Sequence, residues 1–503
     1  MQALLADARP GDHVGSWLQV VVTYRRRRTI EIEGSLRFLA RGMAQRNNVS
    51  FPVVIRGSYS KWGPDPVQCV VFPDMDALPR GFSSRFGPLE LTGRTESGND
   101  TWVQEFSATS ERIAGGQISW KGTAELLVHG DLEVFDASGG TIVCSAFVPP
   151  SPLAVPLDVD YIPSFDGTIK CSGAERKGIR WNTSLGAAEF IDYYEYEPAR
   201  VGLDQALMRV QRCRVNIRYE PAGTVSLRSI VTTLQEELDE PLWVLSFLSR
   251  RRLAWYEADI HFRPAQGQRD GEFRQVTVRQ KQWLGFESER QREMSWVGLL
   301  VKRDALIDQL FEQMLENYRV SEFKEVIRQV IPFVLAAHET GYTETRLGIL
   351  YSGLEALISG LCRDDGNQGS ILDRQQFSQL RRKLNEVVKQ EVHDNSCAQM
   401  IIDRLGNLNQ RSYADRLLAL AGKHGVDLRK LWPSGADIAS EVKMLIRRRN
   451  TYIHQGRIDD YGVHYVDLYR IQNLIELWIL KLLDYPDTAI NDFAINHPVP
   501  LNR

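Results

Sequence analysis

The hydrophobic period of this chain changes partway along its length, and that change limits the folds open to it. Early segments repeat apolar residues every second position, as in "SLRF", "VQCVVF", "PLELTG", "TAELLVHGDLEVFD", "TIVCSAF" and "CRVNIRY". A period of two belongs to half-buried strands. In "TIEIEGSLRF" it runs through Ile30, Ile32, Leu36 and Phe38, and in "CRVNIRY" through Cys213, Val215, Ile217 and Tyr219. Turn material such as "KWGPDP", "SGND" and "ASGG" separates these runs,. One helix, Leu227 to Ser249, is expected to interrupt the strands. From about Trp296 the spacing becomes three and four residues. Leu347, Leu350, Leu354, Leu357 and Leu361 then form one continuous helical stripe,.

The spacing therefore predicts an α+β multidomain chain. Residues 1–285 form a β-rich region, a sandwich or partly open barrel of one or two subdomains. Connecting helices follow over 296–340, and an all-α bundle over 341–490. A length of 503 residues agrees with more than one core,. A hydrophobic fraction of 43% with 25% charged residues is that of a globular protein, and a net charge of −3 makes any polyanion contact a local one,. The N-terminus has no basic segment followed by a long apolar core, so no secretory leader is expected. The six cysteines are scattered without a CxxC pair, which fits a reducing, cytoplasmic setting and neither a disulfide framework nor a zinc site,. The run Arg25 to Arg28 reads as a charged strand edge, with a polyanion contact as the alternative.

One helix breaks its own pattern. In "MLIRRRNTYIHQG", Met444 to Gly456, an apolar stripe runs through Ile438, Val442, Leu445 and Ile453, flanked by Ile446 and Tyr452. Ser434 and Asp437 suggest a capping box at its start, and Gly456 is a natural stop. Arg449 falls in the middle of the stripe. Arg447, Asn450 and His454 form a polar strip beside it, with Asn450 and His454 one turn apart. A solvated basic face accounts for Arg448. It does not account for Arg449, because a guanidinium in a buried stripe needs a partner or a water-filled groove. Periodicity leaves a structural ion pair and a functional site equally open. Glu355, on the border of the apolar stripe in "LGILYSGLEALISGL", is either a partner of Arg449 or Arg447 or a surface carboxylate. His338, His393, His424 and His464 have no ligand-spaced partners and read as loop or surface histidines.

"RNTYIH", Arg449 to His454, resembles the Arg-Asn-x-x-x-His signature of the HEPN superfamily of helical-bundle proteins. "LGILYSGLEALISGL" and "NLNQRSYADRLLALA" resemble the early and middle bundle segments of its ApeA-like branch, in which a β-rich region commonly precedes the bundle. The resemblance covers roughly residues 342 to 485. It implies a metal-independent endoribonuclease with no cofactor, a toxin or anti-phage (abortive-infection) effector acting on RNA as a homodimer of bundles. RNA carries its own nucleophile, the 2′-hydroxyl, so the protein has to supply proton transfer and charge stabilisation. His454 would be the general acid or base, since histidine titrates near neutral pH. Arg449 would hold the phosphate, and Asn450 would orient His454 or a phosphate oxygen. Arg447 and the triplet Arg381, Arg382 and Lys383 are candidates to track the RNA backbone, against the plainer reading of solvated charge. Two further readings stay open: a non-catalytic RNA- or nucleotide-binding module, and a protein-interaction scaffold. In the nuclease reading the β-rich region would meet a trigger or inhibitor, sensing the one or holding the nuclease in check through the other.

Overall fold

A computed structural model describes residues 35–280 and 307–490, apart from 47–48, 61–66, 80–81, 83–86, 96–98, 115–116, 131, 150–155, 164–168, 173–177, 202–203, 265–273, 365–369, 457 and 459. The Arg25–Arg28 run, Ile30, Ile32, and the expected start of the helical half at Trp296 lie outside the described residues.

Six strands close on themselves: β1 (Ser35–Arg46), β2 (Val49–Ser60), β3 (Val67–Pro73), β4 (Leu89–Thr95), β5 (Asp100–Ala114) and β6 (Gln117–Ala124). Antiparallel pairing runs β5–β4–β1–β2–β3–β6 and returns from β6 to β5. The β-rich region thus contains a closed barrel, where periodicity allowed a sandwich or an open one. Closure removes exposed strand edges. Alternation puts Phe51, Val53, Ile55, Leu89, Leu91, Phe106 and Trp120 inside as a core of their own. β1 and β4 approach so closely at Gly42 that a β-carbon there would lie 1.7 Å from the Thr92 carbonyl oxygen,.

Along the edge opposite β4, β5 serves two partners. Its first residues pair with β7 (Leu126–Gly130) and its later ones with β6, and Glu105 between them takes a left-handed φ of 51°,. The remaining strands are β8 (Val134–Asp136), β9 (Thr141–Val148), β10 (Pro156–Pro163), β11 (Ile169–Ser172), β12 (Ile179–Thr183), β13 (Gly186–Val201), β14 (Asp204–Tyr219), β15 (Thr224–Ser226), β16 (Glu257–Arg263) and β17 (Arg274–Gln280). From β7 the sheet continues through β17, β16 and β9 to residues Cys213–Tyr219 of β14.

By internal contacts the chain divides into two compact units. The first comprises Met1–Glu33, Pro156–Arg176 and Tyr193–Arg212, and its described part includes the antiparallel β10–β11 hairpin. The second comprises Gly34–Val155, Lys177–Asp192 and Cys213–Arg503, so it holds the barrel, the sheet extending from it and all the described helices.

Those helices are α1 (Leu227–Ser249), α2 (Ile307–Val320), α3 (Lys324–Glu339), α4 (Thr343–Asp364), α5 (Arg374–Glu391), α6 (Asn395–Arg404), α7 (Tyr413–Lys423), α8 (Ile438–Gln455) and α9 (Tyr461–Leu482). α1 has the bounds its periodicity predicts. The five-leucine stripe of α4 is fully buried. α5 departs from expectation: its pattern is amphipathic, yet none of its residues is buried. It packs on α6 and the turn Leu405–Asn409 rather than into the main core. No helix among the described residues is long and apolar enough to cross a membrane.

α9 is apolar on nearly every side and still buries Asp467, Gln472, Asn473 and Glu476. Each has a partner on another element or along α9. α1 ends at Arg250, in a left-handed conformation with φ 53°, and the turn aims its guanidinium at Glu476. Nε donates to Oε1 at 3.0 Å and a terminal nitrogen donates to Oε2. His338 at the end of α3 reaches the same carboxylate at 3.3 Å, and Gln472 at 3.2 Å. Gln472 in turn accepts from Arg346 of α4 at 3.4 Å. His338 is thus interior rather than a loop or surface residue, and so is His464, buried in the first turn of α9. Ligand spacing says nothing about burial, which here follows from the helices on which these residues stand.

Removing one member of a fully buried ion pair leaves an uncompensated charge, at a cost of about 3–5 kcal/mol. Arg250→Met is therefore expected to lower the unfolding free energy by about that much, measured by urea denaturation. A second expectation concerns pH. Burial holds the His338 imidazole below its ordinary range, opposed by Glu476 beside it. The unfolded chain binds that proton below about pH 6.5 and the folded chain does not, so stability falls as pH drops through that region. Comparing urea midpoints between about pH 7.5 and 5.5, His338→Gln should flatten the dependence. An unchanged slope would show that the ring does not titrate on unfolding.

Candidate functional site

α8 begins at Asp437, whose carboxylate accepts from the backbone N–H groups of Ala439 and Ser440. The cap is thus Asp437 itself, and the expected box with Ser434 does not form. The helix ends at Gly456, with φ 62° and its N–H on the Tyr452 carbonyl, as the sequence predicts. Val442, Leu445 and Ile446 are buried against the core. Ile453 is 43% exposed, contrary to its place in the stripe. The reason is the length of the neighbouring helix. The Tyr452 hydroxyl already donates to the carbonyl of Glu344, in the first turn of α4, at 2.6 Å. The last turn of α8 overhangs the end of α4.

Arg449 stands where the stripe leaves the core. Its side chain is 14% exposed and paired with Glu355 of α4, which is 55% exposed. Glu355 is thus both a surface carboxylate and the partner of Arg449. A terminal nitrogen of Arg449 also donates to the Asn450 side-chain oxygen at 3.2 Å. Its Cζ lies 5.5 Å from the centre of the Tyr413 ring at the start of α7. Its Nε is buried and meets no acceptor among the described residues. His454, one turn beyond Asn450, is exposed, and among the described residues no hydrogen bond or ion pair engages it. α8 therefore offers a partly shielded guanidinium, an amide touching it and an unencumbered imidazole within its last two turns.

The plain reading of Arg448 is corrected. It forms a two-point ion pair with Asp467 of α9, one arm at 2.8 Å, and Asp467 is wholly buried. Arg470 approaches the same carboxylate at 3.6 Å. Asp467 shares the face of α9 that carries Ile471 and Leu474 one and two turns later. An acid in register with apolar positions is the signal that could have revealed the pair. Arg447 is exposed beside the motif. Arg381, Arg382 and Lys383 are exposed on α5, and among the described residues no hydrogen bond or ion pair joins them to Arg449, Asn450 or His454. Sequence reasoning also passed over Tyr413 and Arg416 of α7.

Among the described residues no group of three or more His, Cys, Asp or Glu side chains is arranged to hold a metal ion. No family model, curated protein or solved structure matches the chain.

The two ion pairs of α8 should differ sharply in worth. Asp467→Ala strands a guanidinium against a buried position and is expected to cost about 3 kcal/mol or more. Glu355→Gln removes a half-exposed partner and should cost no more than about 1 kcal/mol. Parallel denaturant titrations of the two variants check the contrast, and equal losses would mean that Glu355 is structural.

Proposed function

We propose that the chain is a metal-independent endoribonuclease of HEPN type, the activity that the resemblance of "RNTYIH" implies. Internal attack of a 2′-hydroxyl on the adjacent phosphorus breaks the bond to the 5′-oxygen, leaving a 2′,3′-cyclic phosphate on one fragment and a 5′-hydroxyl on the other. His454 takes the proton from the nucleophile or gives one to the leaving oxygen. Arg449 stabilises the charge that grows on the pentacoordinate phosphorus, for which a planar guanidinium is suited. Asn450, already hydrogen-bonded to Arg449, orients that group or a phosphate oxygen.

The observation that carries this reading is the state of the two ionisable groups. His454 lies exposed with no protein partner among the described residues, and Arg449 is shielded yet keeps a buried donor unanswered. A homodimer would place two imidazoles in one cleft, one to accept and one to donate a proton. Exposed Ile453 on α8 and Val463 and Val466 on α9 give a partner bundle apolar surface to cover,. The toxin or defence role, and sensing by the β-rich region, rest on the resemblance.

One observation favours a second reading, a non-catalytic RNA- or nucleotide-binding module: Arg449 already has an ionic partner in Glu355. Incubation with RNA in EDTA separates the two. Cleavage should persist, leave cyclic phosphate ends, spare 2′-deoxy substrate, and fall at least about 100-fold in His454→Ala and in Arg449→Ala. Retention of RNA without cleavage would favour the module.

A further inference from the structure

Beside the end of α8, the first turn of α7 holds a second arginine that no acceptor among the described residues satisfies. Arg416 stands one turn after Tyr413, and its Cζ lies 5.5 Å from the Tyr413 ring centre, as does that of Arg449. Two guanidinium groups therefore share one aromatic ring. Arg416 makes no side-chain hydrogen bond or ion pair among the described residues. Its neighbour Asp415 is turned away, accepting from the hydroxyl of the capping Ser412 at 2.6 Å. Glu355 is engaged with Arg449.

Three donors in this cluster are buried without an acceptor among the described residues: Nε of Arg416, Nε of Arg449 and the Tyr413 hydroxyl. Burial pushes the Tyr413 hydroxyl above its ordinary range, so it keeps its proton and remains a donor. A buried donor left unmade is costly, and two cations against one half-exposed carboxylate leave positive charge unbalanced. Stacking of arginine on tyrosine accounts for one cation at modest gain, not for two with their donors idle. What the cluster lacks is an anion with several acceptor oxygens. A phosphodiester has that chemistry, and a guanidinium binds it through paired donors.

We propose that Arg416 and Tyr413 of α7 form, beside Arg449, a subsite for the RNA backbone phosphate that adjoins the one Arg449 holds. This rests on the reading that Arg449 faces RNA. The subsite accounts for the placement of α7 against α8 at this point. It also gives the strand a second anchor, fixing which bond lies beside His454.

Binding of a 2′-fluoro RNA oligonucleotide, which cannot cleave itself, tests the subsite apart from catalysis. Fluorescence anisotropy across a salt series is read for the full chain and three variants. Arg416→Gln should weaken binding at least about five-fold and reduce the slope of log Kd against log salt by about 0.7, one phosphate contact to a single strand. Arg416→Lys should keep the slope and lose part of the affinity, since it retains charge without the fork. Tyr413→Phe should weaken binding with no loss of thermal stability, because the hydroxyl it removes has no partner among the described residues. Wild-type affinity and slope in both Arg416→Gln and Tyr413→Phe would overturn the subsite, as would a full chain that does not bind the oligonucleotide. Cleavage of unmodified RNA is scored separately. Activity with Arg416-independent binding removes the subsite alone, whereas Arg416-dependent binding without activity removes the nuclease reading and keeps the subsite.

Discussion

The pairing of Arg250 with Glu476 sets the frame for everything the helical half does. A helix as apolar as α9 has no reason to bury a carboxylate unless a cation is delivered to it, and the left-handed end of α1 delivers one. The contact joins the last turn of the helix that emerges from the strand-rich region to the middle of the helix at the centre of the bundle. Buried ion pairs of this sort add little net stability over apolar packing; their value as specific registers is a hypothesis for each protein. Here the register has a visible consequence. With Glu476 fixed, Gln472 is set toward Arg346 of α4 and Asp467 toward Arg448 of α8. α9 thus acts as a ruler that positions both helices bearing the candidate site.

That ruler explains the contrast between two adjacent arginines. Arg448 faces α9, finds a wholly buried acid and is committed to the fold. Arg449, one residue on, faces the gap between α4 and α7 and meets an acid that is half in water. The same helix therefore carries side by side one cation paired with a buried acid and one paired with a half-exposed acid. A cation whose only acid among the described residues is half in water, on the same two turns as an unengaged imidazole, is the physical content of the functional proposal.

Much of this was legible in the residues. The change of period separates strands from helices, the leucine stripe of α4 marks its buried face, and α1 follows from pattern alone. The displaced Arg449 and the Gly456 stop were also readable. Other features were not, because they depend on tertiary lengths and partners. The exposure of Ile453 reflects where α4 begins, and barrel closure goes with the irregularity at Glu105, where one edge of β5 passes from β7 to β6. The solvated position of α5 could not be inferred from its amphipathic pattern, since a stripe shows which face packs and not how deeply. Histidine burial failed for a related reason: spacing identifies ligands, whereas His338 and His464 are interior because of the helices that carry them. The meeting of Tyr413 with Arg449 is a matter of α7 packing near α8, to which no single segment points.

The account stands on one claim, that the guanidinium at 449 and the imidazole at 454 receive the same backbone phosphate. Nitrogen-resolved NMR of the full chain, observing the Arg449 Nε–H and the His454 ring during addition of the uncleavable oligonucleotide, reads that directly. Both signals should move together and saturate at one concentration. A His454 signal that moves while Arg449 stays locked to Glu355, or an Arg449 signal that moves alone, would contradict it.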